Sequence, residues 1–113
     1  MRLVHRDLDI VIAGNVEIAD SFLARARGLM FRREIPEDSA LVFEFGKPVT
    51  RSLHMFCVPF AIDAVWLVDG EVTHTARLDA WTGFSRGRAD TICELPAGST
   101  EGVRTGDRIG FEE

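Results

Sequence analysis

One dense apolar run, residues 53–70, constrains this chain more than any other feature. It reads Leu-His-Met-Phe-Cys-Val-Pro-Phe-Ala-Ile-Asp-Ala-Val-Trp-Leu-Val-Asp-Gly. Such a run belongs at the centre of a fold, because burial of apolar side chains is the main favourable contribution to folding. It nevertheless contains His54, Cys57 and Asp63, and a polar side chain in such a place needs a partner. These three residues are therefore candidates for either structure or chemistry.

Length and charge limit the classes of protein to consider. The chain has 113 residues, of which 46% are hydrophobic, so one domain over residues 1–113 can bury a core without disulfides or a structural metal. The net charge of −5 argues against a nucleic-acid partner, since binding to phosphates needs a basic surface. The chain begins without a signal-peptide pattern, and no segment reaches the ~20 apolar residues that span a bilayer. We expect an acidic, soluble, cytoplasmic domain with no membrane partner.

The clearest predicted strand runs from Ile62 to Val68. Both of its faces are apolar, which is typical of a strand with neighbours on both sides. Asp69-Gly70 is a strong hairpin signal, and the chain should return as a strand over residues 71–78. The residues of that return strand expected to face inward are Val72, His74, Ala76 and Leu78.

The other elements follow from alternation and from turn residues. Further strands are predicted over residues 8–13, 16–19, 41–45, 52–56 and 89–95, with a final strand ending near Phe111. Gly14-Asn15 predicts a hairpin, Gly46-Lys47-Pro48 a break, residues 79–88 an exposed loop, and residues 20–28 one short helix that ends at Gly28. Together these elements predict an α+β, predominantly β domain, with a barrel-like antiparallel or mixed sheet of about seven or eight short strands.

Three sequence blocks occur in a fixed order. The first is Arg25-Ala26-Arg27-Gly28-Leu29-Met30-Phe31-Arg32, the second runs from His54 to Gly70, and the third is Glu94-Leu95-Pro96-Ala97-Gly98 followed by Gly106-Asp107. With these blocks, the chain from about Asp20 to its end resembles the domain of unknown function 192 family, uncharacterised protein family 0127. The resemblance implies a compact, mostly β domain found in prokaryotes, and it implies no established activity. The chain departs from that family where Ala61 replaces a usual proline and where Cys57 replaces a common Gly or Asn.

Asp63 and His54 are the first candidates for chemistry. Asp63 opens an apolar strand, so it is either a general base or cation ligand, or a structural anchor for backbone N–H groups or for an arginine such as Arg27. The structural alternative is favoured, because structural ion pairs perturb buried acids as often as active sites do. His54 can pair with Asp63 as an oriented base, bind a ligand at a loop rim, or simply pack at a strand end.

The two cysteines offer two further hypotheses. Cys57 lies near His54 and is a candidate nucleophile, although neither a helix N-terminus nor a nucleophile motif accompanies it. A zinc site would need His54, Cys57, His74 and Cys93, which lack the close paired spacing of metal sites. We therefore predict no metal and no cofactor, with His74 and Cys93 in the core.

Arg27 and Trp81 are candidate ligand-binding residues outside the apolar run. Arg27 lies near the predicted end of the helix, where a guanidinium either complements the helix dipole or binds a carboxylate ligand. Trp81 lies in a glycine-containing loop beside arginines and is either a recognition residue or a lid over the end of the sheet. The predicted site combines Arg27 and Asp63 with the loops at 46–61 and 79–88.

Three functions remain open at this point. The favoured one is a binding or accessory module for a small molecule or a protein partner, with an apolar pocket and few polar groups. The second is a small hydrolase or transferase in which His54 hydrogen-bonds to Asp63, with Cys57 as a further participant. The third is a subunit that assembles with itself or with another protein through exposed Trp81 and Phe84.

Overall fold

β-Strands dominate the computed structural model, which describes residues 1–19, 28–30 and 32–113. The strands are β1 (Arg2–His5), β2 (Ile10–Ala13), β3 (Asn15–Ile18), β4 (Ser39–His54), β5 (Ile62–Val68), β6 (Glu71–Leu78), β7 (Phe84–Pro96) and β8 (Ile109–Glu112). They form a three-stranded sheet in the order β2-β1-β8 and a five-stranded sheet in the order β3-β4-β7-β5-β6. The prediction of a predominantly β architecture is confirmed.

Several details differ from the predicted architecture. In the described residues the strands form two open sheets, each with two edge strands, so the expected barrel-like sheet is wrong. Two strands are long, because β4 has 16 residues and β7 has 13. The predicted helix lies outside the described residues except for Gly28, which is in a turn with a φ of +53°. Within the described part of the chain, no helix is long and apolar enough to cross a membrane.

The β5–β6 hairpin is the one that the sequence predicts. Asp69 and Gly70 have positive φ angles of 51° and 80°, as a tight two-residue hairpin turn requires. β5 pairs with β6 on one side and with β7 on the other, and six of its seven residues are buried. The apolar character of both faces of β5 therefore reflects its place inside the sheet.

The five-stranded sheet separates two apolar clusters, because successive residues of a strand point to opposite faces. The front face carries Leu41, Phe43, Ala64, Trp66 and Ile92. The back face carries Val42, Val65, Leu67, Cys93 and Leu95, which pack against Leu3, Ala13 and Ile109 of the three-stranded sheet. The interior strands are thus buried on both sides.

A β-bulge in β6 changes the face that its residues meet. Thr73 is left without a pairing partner between Val72 and His74. Val72 consequently belongs to the back cluster, whereas Leu78 belongs to the front cluster. The residues expected to face inward do contact the core, but the bulge divides them between two faces, which alternation in a sequence does not reveal.

β4 is one strand where the sequence predicts two strands and a break. Its pairing with β7 is irregular between Glu44 and Val49, where Gly46 has a φ of +83°. Arg51 supports the irregular segment, because its Nη2 donates a hydrogen bond to the carbonyl of Lys47 at 3.0 Å. The predicted break is a register shift within a continuous strand.

The predicted hairpin at Gly14-Asn15 is wrong. β2 pairs with β1 in the three-stranded sheet, whereas β3 runs parallel to β4 in the other sheet. Asp38 holds the crossing between the sheets, since its carboxylate accepts a hydrogen bond from Gly14 N at 2.9 Å and its carbonyl accepts one from Asn15 N at 3.0 Å. A Cβ at Gly14 would clash with that carboxylate, so the glycine permits a close approach.

The predicted loop over residues 79–88 is only partly a loop, because β7 begins at Phe84. Gly87 consequently lies inside a strand. A Cβ at this position would lie 2.9 Å from His74 Cβ and 3.2 Å from Trp66 Cγ. The absent side chain of Gly87 thus allows β6 and β7 to share the front face with Trp66.

We expect Gly87→Ala to lower the free energy of unfolding by about 1–3 kcal/mol, because the methyl group has no room beside Trp66 and His74. Gly102→Ala is the matched control, since nothing lies within 4 Å of its Cβ position. The control should change stability by less than about 0.5 kcal/mol. Urea unfolding followed by tryptophan fluorescence measures both variants, and equal stabilities would contradict this packing.

Candidate functional site

A pocket of about 350 Å³ opens on the front face beside the irregular part of β4. Its apolar lining includes Leu29, Phe43, Phe45, Val58 and Ile92. Its polar lining is Thr50, Arg51, Ser52 and His54 from β4 and Glu94 from β7. An apolar floor with a few polar groups is the usual composition of a small-molecule site.

Glu94 is the buried acid of this pocket. It follows Ile92 by two residues on β7, so both side chains point to the front face. Only 6% of the Glu94 surface is exposed. Among the described residues, no group donates a hydrogen bond to its carboxyl, and the cation whose charge it senses is Arg32. Arg32 itself is paired with Glu17 at 2.9 Å.

The burial of Glu94 controls its protonation. Desolvation raises the pKa of its carboxyl from 4.5 to about 8, and the charge of Arg32 opposes only part of that rise. The carboxyl is therefore mostly protonated at neutral pH. In that state it can donate a hydrogen bond, and after losing its proton it can bind a cation. A perturbed acid in a pocket is a recurring feature of functional sites.

Gly28 leaves space in front of this acid. A Cβ at Gly28 would lie 3.4 Å from the ring of Phe43 and 3.7 Å from Glu94 Oε1, and φ is +53°. Any larger residue would therefore narrow the pocket beside the carboxyl and strain the turn.

A guanidinium lies at the other end of the aromatic lining. The ring of Phe43, next to Glu94, stacks on the ring of Phe45 at 6.3 Å, and Arg51 Cζ lies 3.8 Å from the centroid of the Phe45 ring. Arg51 donates to the carbonyl of Ala89 through Nε at 3.0 Å and also to a carbonyl within β4. A guanidinium has five N–H donors, so three remain after these two bonds.

His54 is exposed at the rim of the pocket, where β4 ends. Its Nδ1 accepts a hydrogen bond from the backbone N–H of Phe56 at 3.2 Å. The neutral ring therefore carries its proton on Nε2, which is a donor at the rim.

Asp63 lies on the back face, away from the pocket. It precedes Val65 by two residues on β5, and Val65 belongs to the back cluster. The carboxylate accepts hydrogen bonds from Arg77 Nε at 2.7 Å, from Gly98 N at 2.9 Å, and from Thr100 N and Oγ1 at 3.0 and 2.9 Å. These donors attach the turn after β7 to β5.

The pKa of Asp63 agrees with an anchoring role. Burial alone would raise it, but the hydrogen bonds from Arg77 and Thr100 outweigh burial and hold the pKa below its ordinary value. The acceptor positions of the carboxylate are occupied from within the protein, and among the described residues the arginine that donates to it is Arg77. Asp63 and His54 form no hydrogen bond with each other, because each is bonded elsewhere.

Asp63→Asn should lower the free energy of unfolding at neutral pH by about 2–3 kcal/mol, because its NH₂ cannot accept a hydrogen bond and must face donors from Arg77 on one side or from Gly98 and Thr100 on the other. The native pKa is lowered, so this contribution is present above pH about 3.8 and is lost as pH falls through the native pKa. Urea unfolding at neutral and acidic pH measures the change. The exposed Asp79→Asn is the control, and an equal effect of both variants at neutral pH would refute the anchoring role.

Glu94 should give the opposite dependence of stability on pH. Its native pKa near 8 is above the unfolded value of 4.5, so the stabilisation is complete below about pH 4.5 and is lost as pH rises through about 8. Glu94→Gln has no such dependence, and at alkaline pH it should be more stable than wild type by up to about 4 kcal/mol. Urea unfolding at several pH values between about 4.5 and 8 measures the free energy of unfolding, with exposed Glu37→Gln as the control. An identical pH dependence in wild type and Glu94→Gln would contradict the burial of the acid.

Cys57 and Trp81 lie on two neighbouring loops beside the pocket, which two backbone hydrogen bonds connect. Met55 N donates to Gly83 O at 3.0 Å, and Trp81 N donates to Val58 O at 2.9 Å. Cys57 and Trp81 have positive φ angles of 60° and 67°. Glycine and asparagine adopt this conformation most readily, so a cysteine and a tryptophan here mark tight turns.

The residues of the predicted site therefore do not all lie in one place. His54 lines the pocket, whereas Cys57 and Trp81 lie on the neighbouring loops and Asp63 lies on the other face of the sheet. Arg27 lies outside the described residues. Three aromatic side chains on or next to these loops are more than half exposed: Phe56, Trp81 and Phe84.

The four residues considered for zinc are not brought together. His74 is half-buried on the front face, where its ring packs on Trp66 at 4.8 Å and its Nε2 lies 2.7 Å from Ser85 Oγ. Cys93 is in the back cluster, and burial raises the pKa of its thiol to about 12, which keeps it protonated and unreactive. Cys93 is thus a core residue, as predicted.

A different polar cluster has the spacing of a metal site: His5, Asp7 and Asp107, whose ligand atoms lie within 4.8 Å of one another. His5 Nδ1 accepts a hydrogen bond from Leu8 N at 3.2 Å, and His5 Nε2 lies 2.8 Å from Asp107 Oδ2. Because Nδ1 is an acceptor, Nε2 carries the proton and donates a hydrogen bond to Asp107. Hydrogen bonds from the Arg104 N–H and from His5 lower the pKa of Asp107. The cluster therefore joins β1 to the turn before β8 and leaves no ring lone pair for a metal.

Glu94 and Arg51 are charged pocket residues that the sequence does not single out, although Arg51 lies within the 46–61 segment of the predicted site. Glu94 is a charged residue between Cys93 and Leu95 in an apolar strand, which is the same signal that singles out Asp63. Arg51 has no such signal, because its position depends on the irregular pairing of β4 with β7.

Comparison with known proteins identifies relatives over most of the chain. The family model of DUF192 (Uncharacterized ACR, COG1430) matches residues 4–111. A UPF0127 protein of Pyrococcus horikoshii is 33% identical over 113 residues, which cover 95% of this chain and 96% of the relative. A UPF0127 protein of Thermococcus sibiricus is 30% identical over 114 residues, which cover 97% of this chain and 74% of the relative.

Two solved structures have a similar fold. A protein of unknown function from Novosphingobium aromaticivorans superposes with a TM-score of 0.74 at 22% identity, over 85% of this chain and 74% of that one. A protein described as a putative transcription regulator from Sinorhizobium meliloti superposes with a TM-score of 0.77 at 25% identity, over 96% of this chain and 89% of that one.

Proposed function

The chain belongs to the DUF192 family of UPF0127 proteins, and we propose that it is a single-domain binding module that holds a small organic molecule in the front-face pocket. One observation carries the proposal: Glu94 is 6% exposed, lines the pocket and receives no hydrogen bond from the described residues. In the described part of the chain no buried side-chain N or O atom lacks a partner, so this carboxyl reaches the pocket opening. A ligand in the pocket can hydrogen-bond to it in place of water.

The size and lining of the pocket support a small molecule as the ligand. Its volume of about 350 Å³ is near the lower end of the range for such sites. Phe43 and Ile92 provide apolar surface, whose burial contributes about 25 cal/mol per Å². Glu94 and Arg51 provide polar groups that fix orientation.

The same geometry favours binding over catalysis. A hydrolase or transferase needs a base within hydrogen-bond reach of the group it activates. His54 Nδ1 instead accepts the Phe56 N–H, and neither Cys57 nor Asp63 lines the pocket. We therefore assign His54 to the rim, where Nε2–H is available to a ligand.

The charge of the chain favours this role over DNA binding. The similar Sinorhizobium structure is described as a putative transcription regulator. A net charge of −5 repels phosphates, and contacts with phosphates supply most of the affinity of DNA-binding proteins. We propose a cytoplasmic protein whose partner is a small molecule.

The test is a thermal-shift screen with amines, amino acids, nucleosides, sugars and small acids against wild type, Glu94→Gln and Glu37→Gln. A compound at about a hundredfold its dissociation constant adds about 2.7 kcal/mol of stability, which moves the melting temperature by several degrees. We expect a compound that stabilises wild type and Glu37→Gln but not Glu94→Gln. A screen without any stabilising compound would overturn the proposal, as would hits that stabilise all three proteins equally.

A further inference from the structure

We infer that the ligand of this pocket carries a cationic amino group at one end and a carboxylate at the other, joined by an apolar segment. The inference deepens the proposed function and rests on it. The geometry behind it is a row of four side chains: an acid, two stacked rings and a guanidinium. These are Glu94, Phe43, Phe45 and Arg51.

The acidic end selects a donor or a cation. Glu94 has no hydrogen bond from any described group, and Arg32, the cation it senses, is paired with Glu17 at 2.9 Å. An ammonium group supplies up to three N–H donors and an opposite charge, which is the combination that a buried carboxylate requires. Gly28 places no side chain beside Glu94 Oε1, where its Cβ would lie 3.7 Å away.

The middle of the row selects an apolar segment. The rings of Phe43 and Phe45 are nearly parallel, with an interplanar angle of 8° and centroids 6.3 Å apart. They form a continuous apolar wall between the two charged ends. A hydrocarbon chain or a flat ring packs against such a wall without leaving a polar atom unsatisfied.

The guanidinium end selects an anion. Arg51 uses two N–H groups on backbone carbonyl oxygens and is fixed over the Phe45 ring, so its orientation is set before a ligand arrives. Three N–H donors remain, and a guanidinium matches a carboxylate through two parallel hydrogen bonds. The Ser52 hydroxyl and His54 Nε2–H are further donors in the pocket lining.

Once Glu94 has lost its proton to make room for a cation, the two ends carry opposite charges, and a ligand with a single charge satisfies only one of them. A simple amine would satisfy Glu94 but leave the free donors of Arg51 to water, and a simple carboxylate would satisfy Arg51 but leave Glu94 without a cation. Each additional charge-assisted hydrogen bond contributes about 1.5–3 kcal/mol, which corresponds to roughly tenfold to a hundredfold in affinity.

The experiment uses two sets of probes that share a scaffold. One set is 4-(aminomethyl)benzoate, benzylamine and benzoate, and the other is 6-aminohexanoate, hexylamine and hexanoate. Calorimetry and thermal shift measure each probe against wild type, Glu94→Gln and Arg51→Gln. Glu37→Gln and Arg33→Gln are matched controls at exposed positions. Arg51→Lys keeps the charge if Arg51→Gln fails to fold.

We expect the amino acid of at least one set to bind about tenfold or more tightly than its amine and its carboxylate. Glu94→Gln should lower the affinity for the amino acid and for the amine by about tenfold or more but leave the affinity for the carboxylate unchanged. Arg51→Gln should lower the affinity for the amino acid and for the carboxylate but leave the affinity for the amine unchanged. Arg51→Lys should retain part of the affinity for the carboxylate, because the charge remains without the paired geometry.

Other results would overturn the inference. It would be contradicted if the three probes of each set bound with equal affinity. It would also be contradicted if Glu94→Gln lost the same affinity for the amine as for the carboxylate. If none of the six probes binds but a sugar or nucleoside from the broader screen depends on Glu94, the ligand class is wrong and the proposed function stands. If no compound of any class depends on Glu94, both fail.

Discussion

Burial of the five-stranded sheet on both faces is the constraint on which the rest of the structure depends. A polar side chain on an interior strand of such a sheet has no water to bond to, so it must find a partner inside the protein or face an opening. Asp63 and Glu94 represent the two outcomes. Asp63 receives hydrogen bonds from Arg77, Gly98 and Thr100 on the back face, where it anchors a turn. Glu94 faces the pocket on the front, where no described residue bonds to it.

The pocket lies beside the segment where β4 departs from regular pairing. Between Glu44 and Val49 the register with β7 shifts, and the backbone there is held by the guanidinium of Arg51. The same guanidinium stacks on Phe45 and so becomes one end of the pocket lining. One side chain thus supports the local fold and orients the charged end of the site, which explains why a cation is fixed there before any ligand binds.

The features that the sequence predicts correctly are those with local causes. The β5–β6 hairpin is specified by one apolar strand and by the turn at Asp69-Gly70, and both appear as predicted. The parallel pairing of β3 with β4, the bulge at Thr73 and the division into two sheets depend on contacts between distant segments, which alternation does not encode. The same limit applies to the site. A charged residue in an apolar strand is visible in the sequence, but whether it is bonded internally, like Asp63, or faces a pocket, like Glu94, depends on which face each strand presents.

The most direct test of this account is the pKa of Glu94, measured by following its side-chain carboxyl carbon by NMR across a pH titration of the free protein. We expect a midpoint near 8, because burial desolvates the carboxyl and none of the described residues hydrogen-bonds to it. The midpoint should fall when a cationic ligand fills the pocket, since the positive charge stabilises the carboxylate. A midpoint near 4.5, the ordinary value, in the free protein would show that Glu94 is solvated or internally paired, and it would contradict the assignment of this pocket as the binding site.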